Sequence, residues 1–159
     1  MSTPYKLSLT VQYATSAKQL PARHQLRRWV QSALQHEVQI TLRIVDENEA
    51  RYLNKSFRGK DYATNVLTFV YDNELPLYGD LVICAPVAAK EARKQRKNLL
   101  EYYAHLTVHA VLHLQGYEHE DDKAAAEMEA RETAIMQKLG YADPYQGAVI
   151  NTKDGRFKK

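Results

Sequence analysis

The run His109-Ala-Val-Leu-His113-Leu-Gln-Gly116-Tyr117-Glu118-His119 carries three imidazoles at the spacing of a metal site. Residues four apart on a helix lie one turn apart on the same face, so His109 and His113 can serve one ion. Gly116 can adopt the left-handed backbone that ends a helix and turns the chain back, which lets His119 reach the same point. Three neutral imidazoles suit a single Zn²⁺ and leave a fourth position open, as in catalytic rather than structural zinc sites. By ligand type the same set also accepts other divalent transition metals such as Ni, Cu or Co. The helix is apolar on nearly all sides through Tyr103, Leu106, Val108, Ala110, Val111, Leu112 and Leu114. Histidines in so buried an element are costly unless paired or ligated. His105 lies a further turn upstream, about 5.4 Å along the axis, too far to ligate with the other three; it either supports a ligand from behind or fills the core. His24 and His36 fall in no pattern.

The ligands and the glycine are in register with the metzincin protease signature His-Glu-x-x-His-x-x-Gly-x-x-His. At the position of that signature's general-base glutamate, however, this chain has Ala110, which can neither accept a proton nor orient a water. Peptide hydrolysis by that mechanism is disfavoured. Phosphodiester cleavage asks instead for a metal and a nearby arginine to neutralise charge on phosphorus. Arg58 is the candidate, in Asn54-Lys55-Ser56-Phe57-Arg58-Gly59-Lys60-Asp61-Tyr62-Ala63-Thr64-Asn65-Val66-Leu67-Thr68-Phe69.

That segment and the histidine motif together resemble the YbeY family of bacterial endoribonucleases, whose pattern there is close to N-x-x-[YF]-R-x-K-D-x-x-T-D-V-L-S-F. Asn54, Phe57, Arg58, Lys60, Asp61, Thr64, Val66, Leu67 and Phe69 match it, and Gly79-Asp80 resembles the family's Gly-Asp. Asn65 stands where Asp is usual and Thr68 where Ser is usual. The resemblance covers roughly residues 54 to 119. It implies a metal-dependent endoribonuclease selective for single strands, acting in ribosomal RNA maturation at the small-subunit 3′ end and in ribosome quality control. It also implies ribosomal or assembly-factor partners and no role on DNA. By the same resemblance His109, His113 and His119 are the metal ligands, and Arg58 contacts the scissile phosphate, so that Arg58 and His113 are the candidate catalytic residues. Two rivals remain at this point. One is a metal-dependent hydrolase of another substrate. The other is a non-catalytic ribosome-assembly factor with a structural zinc, for which Glu118 or Asp121 could supply a fourth ligand.

An RNA strand needs cationic and stacking surfaces. Lys60 and the cluster Lys90, Arg93, Lys94, Arg96 and Lys97, opposed locally only by Glu91, are candidates for the track, with Lys60, Lys90, Arg93, Lys94 and Lys97 as the RNA-binding set. Tyr71, Tyr78 and Tyr117 are candidate stacking residues. A net charge of +3 permits a polyanionic partner without demanding one. The single cysteine, Cys84, excludes an intramolecular disulfide and a cysteine-based zinc site. No signal-peptide pattern and no apolar run of about 20 residues is present. The expectation is a cytoplasmic protein with no membrane association.

The elements that must hold these residues follow from periodicity. Leu7, Leu9 and Val11 alternate with polar residues, as do Val38, Ile40, Leu42 and Ile44, which predicts two half-buried strands. Between them a helix is expected behind Pro21, with Leu26, Trp29, Val30, Ala33 and Leu34 on its apolar face. Asp46 is placed to cap a short helix through Ala50 and Leu53. β-Branched and aromatic residues over 65–71 and 78–84 predict two more strands. Helices are expected from Pro86 to about Lys97, from Leu99 to Gln115, and from Lys123 to Leu139, where Gly140 closes the last. These elements predict a single α+β domain over 1–140: a small mixed four-stranded sheet, about five helices, and the metal site at the C-terminal end of a buried helix. A basic tail over 141–159 is expected to be mobile or loosely docked.

Overall fold

The computed structural model describes residues 4–72 and 74–145. Within them the order is β1 (Leu7–Ala14), α1 (Arg23–Ser32), β2 (Val38–Val45), α2 (Glu47–Arg58), β3 (Val66–Asp72), β4 (Leu77–Cys84), α3 (Ala85–Lys94), α4 (Leu99–Leu114) and α5 (Asp122–Lys138). The strands form one mixed sheet in the order β1-β2-β4-β3, with β1, β2 and β4 parallel and β3 antiparallel to β4 at the edge. The α+β architecture with four strands and five helices is therefore as periodicity predicts. Helix α1 provides the crossover that two parallel neighbours require.

Alternation along the strands sorts the side chains between two layers. Ile40, Leu42 and Ile44 of β2 and Leu81 and Ile83 of β4 face α1, α4 and α5, whose Leu26, Trp29, Leu106, Val111, Met128 and Met136 complete the main core. On the other face, Val45, Leu67, Val82 and Cys84 meet Ala50 and Leu53 of α2. Helix α4 lies at the centre and is buried almost throughout, which explains its all-round apolar sequence. Its start is fixed by Asn98, whose Oδ1 accepts from the Glu101 N–H at 3.1 Å.

Helix α3 stops at Lys94, three residues short of the expected end. Arg96 takes the left-handed conformation (φ 57°), and the amides of Arg96 and Lys97 bond back to the carbonyls of Arg93 and Ala92 at 3.1 and 2.9 Å. This is the hydrogen-bond pair that glycine usually closes at helix ends; without a glycine in the sequence, periodicity overran it.

Gly79 fixes how closely α4 approaches the sheet. A Cβ there would lie 2.5 Å from the Phe69 carbonyl oxygen and 2.6 Å from Cδ1 of Leu114, so only glycine allows β3, β4 and the end of α4 to meet.

Candidate metal centre and its surroundings

The end of α4 is built by two backbone hydrogen bonds around Gly116 (φ 107°). The Gly116 N–H donates to the His113 carbonyl at 3.0 Å and the Tyr117 N–H to that of Leu112 at 3.2 Å. The chain thereby reverses, and α5 starts where Asp121 Oδ1 accepts from the Ala124 N–H at 2.7 Å. His119 lies in the short connection between these two caps. Its ring is 5.6 Å from that of His113 and 5.9 Å from that of His109, centroid to centroid and nearly parallel to both. Tyr117, carried round by the same turn, offers its carbonyl oxygen to His113 Nδ1 at 3.0 Å, which leaves His113 Nε2 as the free lone pair.

All three imidazoles are only partly exposed. Burial, followed by the facing His109 and His113, lowers the pKa of His119, so the His119 imidazole disfavours protonation. Among the described residues no three His, Cys, Asp or Glu side chains close on one point at ligand distance. Rings bound tetrahedrally through nitrogens at about 2.1 Å would have centroids about 5.3 Å apart. The observed rings stand a few tenths of an ångström wider, within reach of small side-chain rotations. The three-imidazole donor set and the anchored Nδ1 of His113 fit a divalent transition metal.

Behind the cluster lies a residue that sequence reasoning missed. Glu132 of α5 is fully buried, and its Oε1 accepts from His105 Nε2 at 2.7 Å and from the Tyr145 hydroxyl at 2.8 Å, with His109 Nδ1 at 3.2 Å. Burial opposes ionisation of Glu132, but the facing His109 and the hydrogen bond from His105 outweigh it and hold the carboxyl well below the usual range. Burial pushes His105 down to about 4, so it is a neutral donor and sits behind the three-histidine cluster, not within it. A signal was present: Glu132 is in phase with Ala125, Met128 and Met136 on the buried stripe of α5, where an unpartnered carboxylate would be prohibitive. Glu129, one turn earlier and half-buried, is also affected: burial, then Glu132, raises its pKa, against the pull of His109.

Ala110, at the position of the metzincin base, is fully buried in the main core. Arg58 is exposed at the last turn of α2, on the opposite face of the sheet from α4. Among the described residues its guanidinium has no hydrogen bond or ion pair. It is not in contact with the histidines, but the two meet the same end of the sheet. Phe57 packs edge-on against Phe69 of β3 at 5.3 Å, the Phe69 carbonyl abuts Gly79, and Gly79 abuts Leu114 beside His113.

Of the basic candidates, Lys60, Lys90, Arg93 and Lys94 are exposed. Lys97 differs from these: it lies beyond the end of α3, is half-buried, and its Nζ donates to the Pro144 carbonyl at 2.6 Å. Tyr71 and Tyr78 are exposed, and Tyr71 donates to Asp80 Oδ2 at 2.7 Å. Asn65, in contrast, is buried, and its Nδ2 donates to the buried carboxylate of Glu91 at 3.0 Å. Glu91 therefore does not oppose the surface cations, and Asn65 acts away from the imidazoles. Of the predicted tail, residues 141–145 dock on α5 and the chain after α3; positions 146–159 lie outside the described residues.

The endoribonuclease YbeY family model matches residues 10–140. The chain belongs to that family. A relative from Nitrosospira multiformis named endoribonuclease YbeY is 56% identical over 159 residues, covering 91% of this chain and 84% of the relative. One of the same name from Nitrosomonas europaea is 53% identical over 140 residues, covering 88% and 85%. The solution structure of TM1509 from Thermotoga maritima is similar at 26% identity and a TM-score of 0.58, over 82% of this chain and 89% of that one. Family membership disfavours the two rival classes, and the matched span takes in both Arg58 and the three histidines.

Proposed function

We propose that this chain is a metal-dependent endoribonuclease that cuts single-stranded RNA, with His109, His113 and His119 as ligands of one Zn²⁺ or a similar divalent ion and Arg58 as the phosphate-binding residue. The observation that carries this is the convergence of three partly exposed imidazoles at the end of α4, with Arg58 exposed at the end of α2 and unpaired among the described residues. The ion would supply Lewis acidity toward phosphate oxygen. The chain's own contribution is positional: the Tyr117 carbonyl holds His113 in one tautomer, and Arg58 can take a phosphate oxygen pair bidentately. Exposed Lys60, Lys90, Arg93 and Lys94 would track the backbone of the strand. Maturation of small-subunit ribosomal RNA, with ribosomal partners and a cytoplasmic setting, is the physiological role this reading favours. Among the described residues no helix is long and apolar enough to cross a membrane, and membership of a family named for RNA cleavage supports the substrate class.

The test is metal analysis coupled to cleavage of a single-stranded RNA by the wild type, His113→Ala and Arg58→Glu. His113→Ala should lose both metal and cleavage, whereas Arg58→Glu should keep the metal and lose cleavage. Full cleavage by both folded variants would sink the proposal. Cyclic 2′,3′-phosphate ends on the products would identify the RNA 2′-hydroxyl as the nucleophile.

A further inference from the structure

We infer that Glu132 is the positioning residue for His109, and that Tyr145 holds Glu132 in place, which makes the C-terminal segment over 143–145 part of the metal site. The inference rests on the three-histidine reading above. A carboxylate can only accept hydrogen bonds. Oε1 of Glu132 accepts from His105 Nε2 at 2.7 Å and stands 3.2 Å from His109 Nδ1 as an ion-pair contact, so Nδ1 is the His109 nitrogen turned toward the carboxylate. A carboxylate facing Nδ1 favours the His109 tautomer with its proton on that nitrogen, the same tautomer that the Tyr117 carbonyl imposes on His113. A carboxylate behind a ligating imidazole both orients the ring and raises its basicity.

Core filling does not account for this acid. Glu132 is 0% exposed, in a stripe otherwise made of Ala125, Met128 and Met136, where an apolar residue would pack without desolvating a charge. Its other oxygen, Oε2, is buried without a hydrogen-bond partner among the described residues. The arrangement thus leaves one oxygen unsatisfied while it aims the other at the histidines.

Tyr145 completes the enclosure. Its hydroxyl donates to the same Oε1 at 2.8 Å, and its ring stands edge-on to His105 at 5.3 Å. The segment that carries it is fixed independently of the histidines. Asp143 Oδ1 accepts from the Tyr145 N–H at 2.9 Å and from Thr133 Oγ1 at 3.3 Å, and Lys97 Nζ donates to the Pro144 carbonyl at 2.6 Å. Lys97 thereby acquires a role: it ties the segment that shuts Glu132 from water.

The test is zinc affinity, by chelator competition at pH 7.5, together with the visible absorption of the cobalt-substituted protein, for the full chain and the variants Glu132→Gln, Tyr145→Phe and Glu127→Gln. Glu127 is exposed on the same helix and serves as the control. Glu132→Gln should weaken zinc binding by about 10–100-fold, the usual cost of losing the group behind a ligand, and should shift the cobalt bands. Tyr145→Phe should do the same to a smaller extent, and Glu127→Gln should match the wild type. A wild type that binds no zinc overturns the three-histidine reading itself. A wild type that binds zinc, with folded Glu132→Gln within twofold of it and with unshifted cobalt bands, overturns the positioning role alone. If Glu132→Gln does not fold, Tyr145→Phe decides: wild-type affinity and wild-type bands in that variant overturn the inference.

Discussion

Replacing Asn65 by aspartate would test the buried pair that this position forms. Nδ2 of Asn65 donates to Glu91 Oε1 at 3.0 Å, and the Tyr102 hydroxyl donates to the same oxygen at 2.6 Å, all within the interior. Asn65→Asp removes a donor and sets a second carboxyl against the first. If both ionise, repulsion at ~3 Å and an effective dielectric near 20 is about 5–6 kcal/mol, and a hydrogen bond to a charged group, worth about 1.5–3 kcal/mol, is lost. The less costly outcome is for the introduced carboxyl to keep a proton and donate it. That costs about 1.4 kcal/mol for each pH unit above its unfolded pKa near 4, or about 4–5 kcal/mol at pH 7.5. The sign follows from proton counting. The folded variant binds one proton more than its unfolded chain, so its stability relative to the wild type falls as pH rises from about 4. Urea unfolding should place Asn65→Asp within about 1–2 kcal/mol of the wild type at pH 5 and about 4–5 kcal/mol below it at pH 7.5. Equal stability at pH 7.5, or a deficit that does not change with pH, would refute the amide–carboxylate pair and the conclusion that asparagine at 65 serves packing.

Other substitutions probe the elements around the site. Gly79→Ala forces a Cβ against the Phe69 carbonyl and Leu114 and should cost about 1–3 kcal/mol, read as a lowered melting temperature; an unchanged melt would mean that α4 does not press on β4. Gly116→Ala meets no atom but must hold φ near 107°, so it should lose about 1–2 kcal/mol by backbone strain alone and weaken zinc binding through His119. Charge reversal of Arg93 and Lys94 should flatten the salt dependence of RNA binding, whereas Lys97→Met should leave that slope unchanged, because Lys97 is spent on Pro144. The thiol of Cys84, pushed up to about 11 by burial, should resist alkylation at pH 8 until the chain is unfolded, and prompt labelling of folded protein would contradict its place in the core.

What the sequence determined by itself was local or periodic. Alternation in Val38 to Ile44 and the 3.6-residue stripes of α1 and α5 specify elements because each pattern must bury one face, and His109, His113 and Gly116 are legible because a single helix turn and its cap place them. The resemblance around Arg58 added a substrate class that spacing could not, since nothing local distinguishes a phosphate-binding arginine from an exposed one. The tertiary structure decided everything that depends on two distant segments meeting. Asn65 finds Glu91 from 26 positions away, so its amide reads as a departure until the buried carboxylate is seen. Arg58 and His113 lie at one end of the sheet only because Phe57, Phe69, Gly79 and Leu114 pack in series. Glu132 faces His109 across the packing of α5 on α4, and Tyr145 reaches Glu132 and His105 from beyond α5. Helix periodicity marks which residues are inside, but partner choice among buried polar groups is set by hydrogen-bond geometry between elements, and that appears only once the chain is folded.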